Sequence, residues 1–166
     1  GATFIKVGQI MSTRPDLLPP HIIQALQRLQ DDVGPFPYRL VQQTIEADFA
    51  QPIEALFSEF SQTPIASASV AQVHRARLKS GELVAVKVRR PDIEELCTFD
   101  LSVMRLYASA LELFPSLKLL APRKSIEQFG RAIALQLDFG IEAGNNRRFR
   151  QNFAAEPDVI VPQLYD

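Results

Sequence analysis

Residues 64–89 constrain the fold more than any other stretch. Pro64-Ile65-Ala66-Ser67-Ala68-Ser69 is made almost wholly of small residues, and Val70–Leu78 continues from it as a strand. Lys79-Ser80-Gly81-Glu82 suits a tight hairpin turn, with Gly81 available for positive φ. Leu83-Val84-Ala85-Val86-Lys87-Val88-Arg89 then reads as a second strand. Its valines alternate with Ala85, Lys87 and Arg89, so Lys87 is expected on the face opposite Val84, Val86 and Val88.

A lone lysine on a strand has two readings. It is either solvated at a sheet edge or held out to an anionic ligand. The loop before it bears on the choice. Ala66, Ser67, Ala68 and Ser69 are small enough for backbone N–H groups to approach a phosphate, and two of them carry hydroxyls. No GxxxxGK occurs in the chain, so this is not a Walker loop. A pliant loop followed by a strand lysine is how kinase-like nucleotide sites begin.

At 166 residues the chain can bury one core but is too short for a two-lobed kinase. Hydrophobic content of 46% and charged content of 22% are those of an ordinary globular protein. A net charge of −1 argues against nucleic-acid binding, which calls for a basic excess. The single Cys97 excludes an intrachain disulfide and fits a reducing compartment. No apolar run approaches the ~20 residues of a membrane span. The sequence opens as if already inside a helix, so a piece of a longer protein is expected.

Helical patterning flanks the sheet. A first helix is expected to about Ser12 and holds Lys6-Val7-Gly8-Gln9; by composition alone this is a surface lysine beside a glycine that admits a neighbouring helix. A second starts at Pro19 and Pro20, with Ile22, Ile23, Leu26 and Leu29 on one face, and ends at Gly34, Pro35 and Pro37. A third covers 37–49, with Leu40, Val41, Ile45 and Phe49 inward, and a short fourth covers 52–60 with Ile53, Leu56, Phe57 and Phe60. Beyond the sheet, Pro91 opens a helix over 92–113. One long helix is then expected from Ser125 to about Phe153, and Val159-Ile160-Val161-Pro162 reads as a short strand.

In the long helix Asp138, Glu142 and Asn145 fall at i, i+4 and i+7, on one face. Repelling carboxylates and two glycines, Gly140 and Gly144, make a costly helix in isolation. Either it is a solvated face offset by Arg147, Arg148 and Arg150, or the glycines admit a close neighbour and the carboxylates meet Lys87 and Lys6.

The combination of Lys6-x-Gly8-Gln9, the alanine-rich Pro64–His74 loop, Val84-Ala85-Val86-Lys87 and Asp138…Glu142-Ala143…Asn145 resembles the UbiB/AarF family of atypical kinases. Each motif alone is weak; their joint order along nearly the whole chain is specific. The resemblance implies an α+β fold: a protein-kinase-like amino-terminal lobe, with a small antiparallel sheet and an αC-like helix. It implies a KxGQ helical extension over 1–62 and the lobe over 63–166, with a helical insertion at about 91–121 and the αC-like helix at about 123–153. The carboxy-terminal lobe is expected to lie outside this piece.

Roles follow residue by residue from the resemblance. Ala66, Ser67, Ala68, Ser69 and Val70 match the loop over the nucleotide phosphates. Lys87 matches the lysine that contacts them, and Glu142 its ion-pair partner. Lys6 and Gln9 match the motif that folds over the active site, and Asp138 the acidic residue of an ExD motif. The implied cofactors are ATP and magnesium, with the magnesium ligands in the missing lobe. The implied role is an ATPase or small-molecule kinase supporting ubiquinone or other prenylquinone lipids. It would act inside the cell, peripheral to or anchored in a membrane, alongside lipid-pathway partners.

Two departures matter. The ExD motif begins with Gln136 rather than Glu, which removes a charge and should weaken the hold on Lys6. No His-x-Asp-x₄-Asn arrangement occurs, and His21 and His74 stand alone as structural residues. Without a catalytic-loop base or metal carboxylate the chain by itself is expected to be inactive. The alternative is a pseudokinase scaffold whose nucleotide gates a lipid-biosynthesis complex without phosphoryl transfer.

Overall fold

The computed structural model describes residues 34–115 and 121–165, together with Thr3 and Gln24. The expected first two helices, with Lys6 and Gln9, lie outside the described residues. By internal contacts the chain divides into two units, Gly1–Leu106 and Tyr107–Asp166.

The first unit is a helical layer on one face of a sheet. Helix α1, Tyr38–Phe49, starts where Pro35 and Pro37 end, and Leu40 N–H closes its first turn on Pro37 O at 2.9 Å. It stops at Ala50, which takes the left-handed conformation at φ 52°. A single-turn helix α2, Ile53–Leu56, leads straight into β1, Phe57–Ser67. Strands β2, Ala71–Leu78, and β3, Leu83–Arg89, complete an antiparallel sheet in the order β1-β2-β3. The β2–β3 turn is the expected one: Gly81 sits at φ 107°, and its N–H donates to Leu78 O at 3.0 Å. Helix α3, Ile93–Leu111, follows, opened by Glu94 and Glu95 where the helix dipole favours acid.

Strand alternation divides the sheet into a packed face and an open one. Val41 and Ile45 from α1, Ile53 from α2, and Phe57, Ala76 and Val88 from the strands are buried together with Phe36. Val84 and Val86 pack against that cluster, as the period-2 pattern of β3 requires. Lys87 is exposed on the opposite side. Phe49, expected inward, is instead 53% exposed at the end of α1.

The expected helix over 52–60 is half wrong. Only Ile53–Leu56 is helical, and 57–60 is strand. Phe57 and Phe60, three residues apart, would face opposite sides of a regular strand. A shift in register between Phe57 and Glu59 inserts one extra residue, so both rings turn to the core with centroids 5.3 Å apart. Further shifts flank Pro64, which has no N–H to give and sits on an edge strand. The sheet therefore begins ahead of the expected boundary at 62/63, and the small-residue segment is strand as far as Ser67.

A buried polar chain crosses the packed face. Phe36 N–H donates to Gln72 Oε1 at 3.0 Å, and Gln72 Nε2 donates to Phe36 O at 3.3 Å. That fixes the orientation of the Gln72 amide, because an N–H can only donate. Gln72 Nε2 also lies 2.9 Å from His74 Nε2, which must therefore accept. His74 Nδ1 then carries the proton and donates to Ser61 O at 2.8 Å. His74 is fully buried and Gln72 is 1% exposed, so each bond stands in place of water. The structural role expected of His74 is what this geometry gives.

The second unit contains α4, Pro122–Leu137, and α5, Phe139–Asn152. Ile133 and Leu137 are its buried apolar positions on α4, and the rings of Phe149 and Phe153 lie 4.4 Å apart. The single long helix expected here is two, with Asp138 extended between them at φ −88°, ψ 96°. Residues 159–161, expected as a strand, have no strand structure. Among the described residues no helix is long and apolar enough to cross a membrane.

Gln72→Met keeps the side-chain length but leaves the Phe36 peptide groups and His74 Nε2 without their buried partners. Urea denaturation should show a loss of about 1–3 kcal/mol per stranded group, and an unchanged midpoint would contradict the network.

Candidate functional site

Register places Lys87. Ala66 pairs with Val73, and Val73 with Lys87, so these three lie in one row across β1, β2 and β3. Directly paired residues of antiparallel strands share a face. The next row, Ser67, Gln72 and Val88, belongs to the packed side, where Gln72 and Val88 are buried. Lys87 therefore stands on the open face beside two small apolar residues, with Ala85 two positions before it on the same strand face. A methyl floor around an ammonium leaves room for a flat or anionic ligand.

The same face is basic. Arg75 pairs with Ala85, and Arg77 and Arg89 follow the alternation of their strands. Arg77 meets Glu59 at 3.5 Å, and Arg89 pairs with Glu94 at the start of α3. Both pairs are largely exposed, so they contribute little to stability and leave positive potential on the sheet.

Beyond the Ser67–Gln72 row, along the same hairpin, is the β1–β2 turn, Ala68–Val70. Ala68 N–H donates to Ala71 O at 2.8 Å, and Val70 O accepts from Arg90 N–H at 2.9 Å. The N–H groups of Ser69 and Val70 have no acceptor among the described residues. Two adjacent peptide donors at a turn without bulky side chains are the elements of an anion cradle. The hydroxyls are placed otherwise than expected. Ser69 is 4% exposed, and Ser67 Oγ accepts from Arg90 Nη2 at 3.2 Å. At the turn, Val70 is half-buried and Ser69 is buried.

In the second unit Asp138 caps α5. Its Oδ1 accepts from Gly140 N–H at 2.8 Å and from Ile141 N–H at 3.3 Å. A Cβ at Gly140 would lie 3.0 Å from that oxygen, so glycine there serves the cap. A Cβ at Gly144 would meet nothing within 4 Å, and neither glycine is explained by a helix packed close by. Asp138 thus does not share a helical face with Glu142 and Asn145, as a continuous helix would require. Glu142 lies in the first turn of α5, and Gln136 is exposed near the end of α4.

Sequence reasoning missed Val73, Gln72 and Arg90. Val73 follows from the β2–β3 pairing once Gly81 fixes the turn. Gln72 and Arg90 act through side-chain bonds to distant backbone, and such bonds leave no periodic trace.

A three-stranded antiparallel sheet with a small-residue hairpin, a β3 lysine and accessory helices defines a kinase-like α+β domain. Residues 28–166 match the family model for the ABC1 atypical kinase-like domain, and the chain belongs to that family. Curated relatives agree. A protein of Tolumonas auensis named probable protein kinase UbiB is 43% identical over 166 residues, and one of that name from Pseudomonas aeruginosa is 45% identical. Each alignment covers 99% of this chain but 31% of the relative, so the chain spans about a third of their length. It corresponds to the amino-terminal region of a UbiB-like atypical kinase. Among solved structures, Rv3197 of Mycobacterium tuberculosis, determined in complex with erythromycin, superposes with a TM-score of 0.64 at 28% identity. That match covers 96% of this chain and 41% of the other.

Removing the Asp138 carboxylate tests the cap. Asp138→Ala should lower the stability of α5 by about 0.5–2 kcal/mol and speed amide exchange at Gly140 and Ile141, with Asp138→Asn close to wild type. Equal exchange in all three proteins would contradict the capping role.

Proposed function

We propose that the open sheet face and the β1–β2 turn form the nucleotide-handling part of a UbiB-type atypical kinase or ATPase. The observation that carries this reading is the row Ala66, Val73, Lys87, close to a turn with two peptide N–H groups that have no acceptor among the described residues. Lys87 would bind the phosphates as a point charge. The N–H groups of Ser69 and Val70 would add donors, and Ala66, Val73 and Ala85 would supply apolar contact. ATP with magnesium contributes the transferable phosphoryl group. Glu142, Lys6 and Gln9 keep in this proposal the roles that the family resemblance implies for them.

The donor set fits such a ligand. It is cationic and backbone-rich, and its neighbouring side chains are small. The magnesium ligands and the catalytic base belong, in this reading, to the part of the full-length protein that these residues do not contain. The 166-residue chain alone would then bind nucleotide without turning it over. The names of the UbiB relatives, together with the family resemblance, support a role in making ubiquinone or another prenylquinone at a membrane surface. The acceptor would be a small molecule or lipid rather than a protein.

The test is Mg-nucleotide binding by the full-length protein. Lys87→Ala should raise Kd at least about tenfold, or ~1.4 kcal/mol, with Lys87→Arg intermediate because the charge stays and its shape changes. Unaltered affinity in Lys87→Ala would overturn the assignment. Failure of every form to bind would favour a scaffold that works without nucleotide.

A further inference from the structure

The β1–β2 turn has a shape that its own sequence does not secure. Ser69 and Val70 connect Ala68 to Ala71, across which Ala68 N–H and Ala71 O are bonded at 2.8 Å. Two-residue hairpin connections match strand twist when their central residues take positive φ, and glycine or asparagine favours that conformation. Neither is present here. The non-glycine residues at positive φ among those described are Ala50, Asp92 and Ala121, so Ser69 and Val70 do not adopt it. A turn of this kind tends to splay its strands, and it needs a restraint from elsewhere.

Arg90, one residue beyond β3, supplies bonds to both sides of the turn. Its N–H donates to Val70 O at 2.9 Å, and its Nε donates to Ala68 O at 3.0 Å. Its Nη2 reaches Ser67 Oγ at 3.2 Å and Gly34 O at 2.6 Å. The guanidinium carbon stands 5.3 Å from the centroid of the Phe36 ring. Phe36 is in turn fixed at both peptide groups by Gln72. Partial burial pushes the Arg90 guanidinium below its ordinary pKa, because withdrawal from water disfavours the charged form. A planar fork with five N–H donors suits this task, and a lysine ammonium does not reproduce it.

We propose that Arg90 is a positioning residue that clamps the alanine-rich turn to the Gly34–Phe36 segment and so presets its peptide N–H groups for nucleotide phosphate. This rests on the nucleotide reading of the open face. Arg90 touches no phosphate; it acts on affinity through the turn. The clamp also joins the segment before α1 to the ligand face, so displacement of residues 34–36 would be felt at the turn.

The experiment uses the full-length protein as wild type, Arg90→Ala, Arg90→Lys and Lys87→Ala, each measured for Mg-nucleotide affinity and for amide hydrogen exchange. In Arg90→Ala, exchange should rise about tenfold or more at Ala68, whose N–H is bonded to Ala71 O, with residues 41–45 of α1 unchanged, and nucleotide Kd should rise at least about fivefold. Arg90→Lys should resemble Arg90→Ala, since the fork is lost although the charge remains. Lys87→Ala should lose affinity while the turn stays protected. Wild-type exchange at Ala68 in Arg90→Ala overturns the clamp, as does exchange rising equally in α1, which would mark a merely structural arginine. Should Arg90→Ala fail to fold, wild-type affinity and turn protection in Arg90→Lys overturn it equally. If wild type binds and Lys87→Ala binds as well as wild type, the nucleotide reading fails instead, whatever Arg90 does.

Discussion

The bond pair between the Gln72 amide and the Phe36 peptide holds the first unit together. Gln72 sits on β2, in the middle strand, yet its side chain completes the backbone pairing of a segment 36 residues earlier. That one contact seats the helical layer on the sheet, orients His74 and, through Phe36, places a ring under Arg90. All these groups are buried or half-buried, so each unmade bond would carry a desolvation cost and not merely lose a gain. The helical layer, the sheet and the turn are thereby coupled by a chain of polar contacts running from Ser61 to Ser67.

The two faces of the sheet divide the labour. Val84, Val86 and Val88 belong to the core with α1 and α2, whereas Ala85, Lys87 and Arg89 face away from it. A strand buried on both sides could not display a lysine without the desolvation penalty of a buried charge. With one face open, Lys87 is exposed beside the small residues Ala66 and Ala85. This division underlies the proposed site: packing secures the strand, and exposure leaves the chemistry available.

How much of this could be read from residues alone depended on the kind of signal. The β2–β3 hairpin was legible because valine alternation and Gly81 are local and mutually consistent. The face of Lys87 followed from it. β1 was not legible, since Phe57 and Phe60 fit a helical spacing and only a register shift lets a strand turn both inward. The break at Asp138 was masked by continuous helix formers on both sides, although an Asp two residues before a glycine is a possible cap. Val159–Val161 has strand composition but no strand, which composition cannot decide. The family resemblance pointed to the loop and the lysine, and the register adds Val73 and Ala85 beside them. Arg90 and Gln72 were beyond reach, because their partners are backbone atoms brought near by the fold.

The central claim is that the open face around Lys87 receives a nucleotide's phosphates. Its most direct test is covalent labelling with an acyl-phosphate derivative of ATP, which acylates a lysine amine held beside the phosphates, followed by peptide mapping. The account predicts modification at Lys87, suppressed by excess Mg-ATP, with Lys79 and Lys124 labelled only weakly and without protection. Equal labelling of all three lysines, indifferent to added nucleotide, would contradict it.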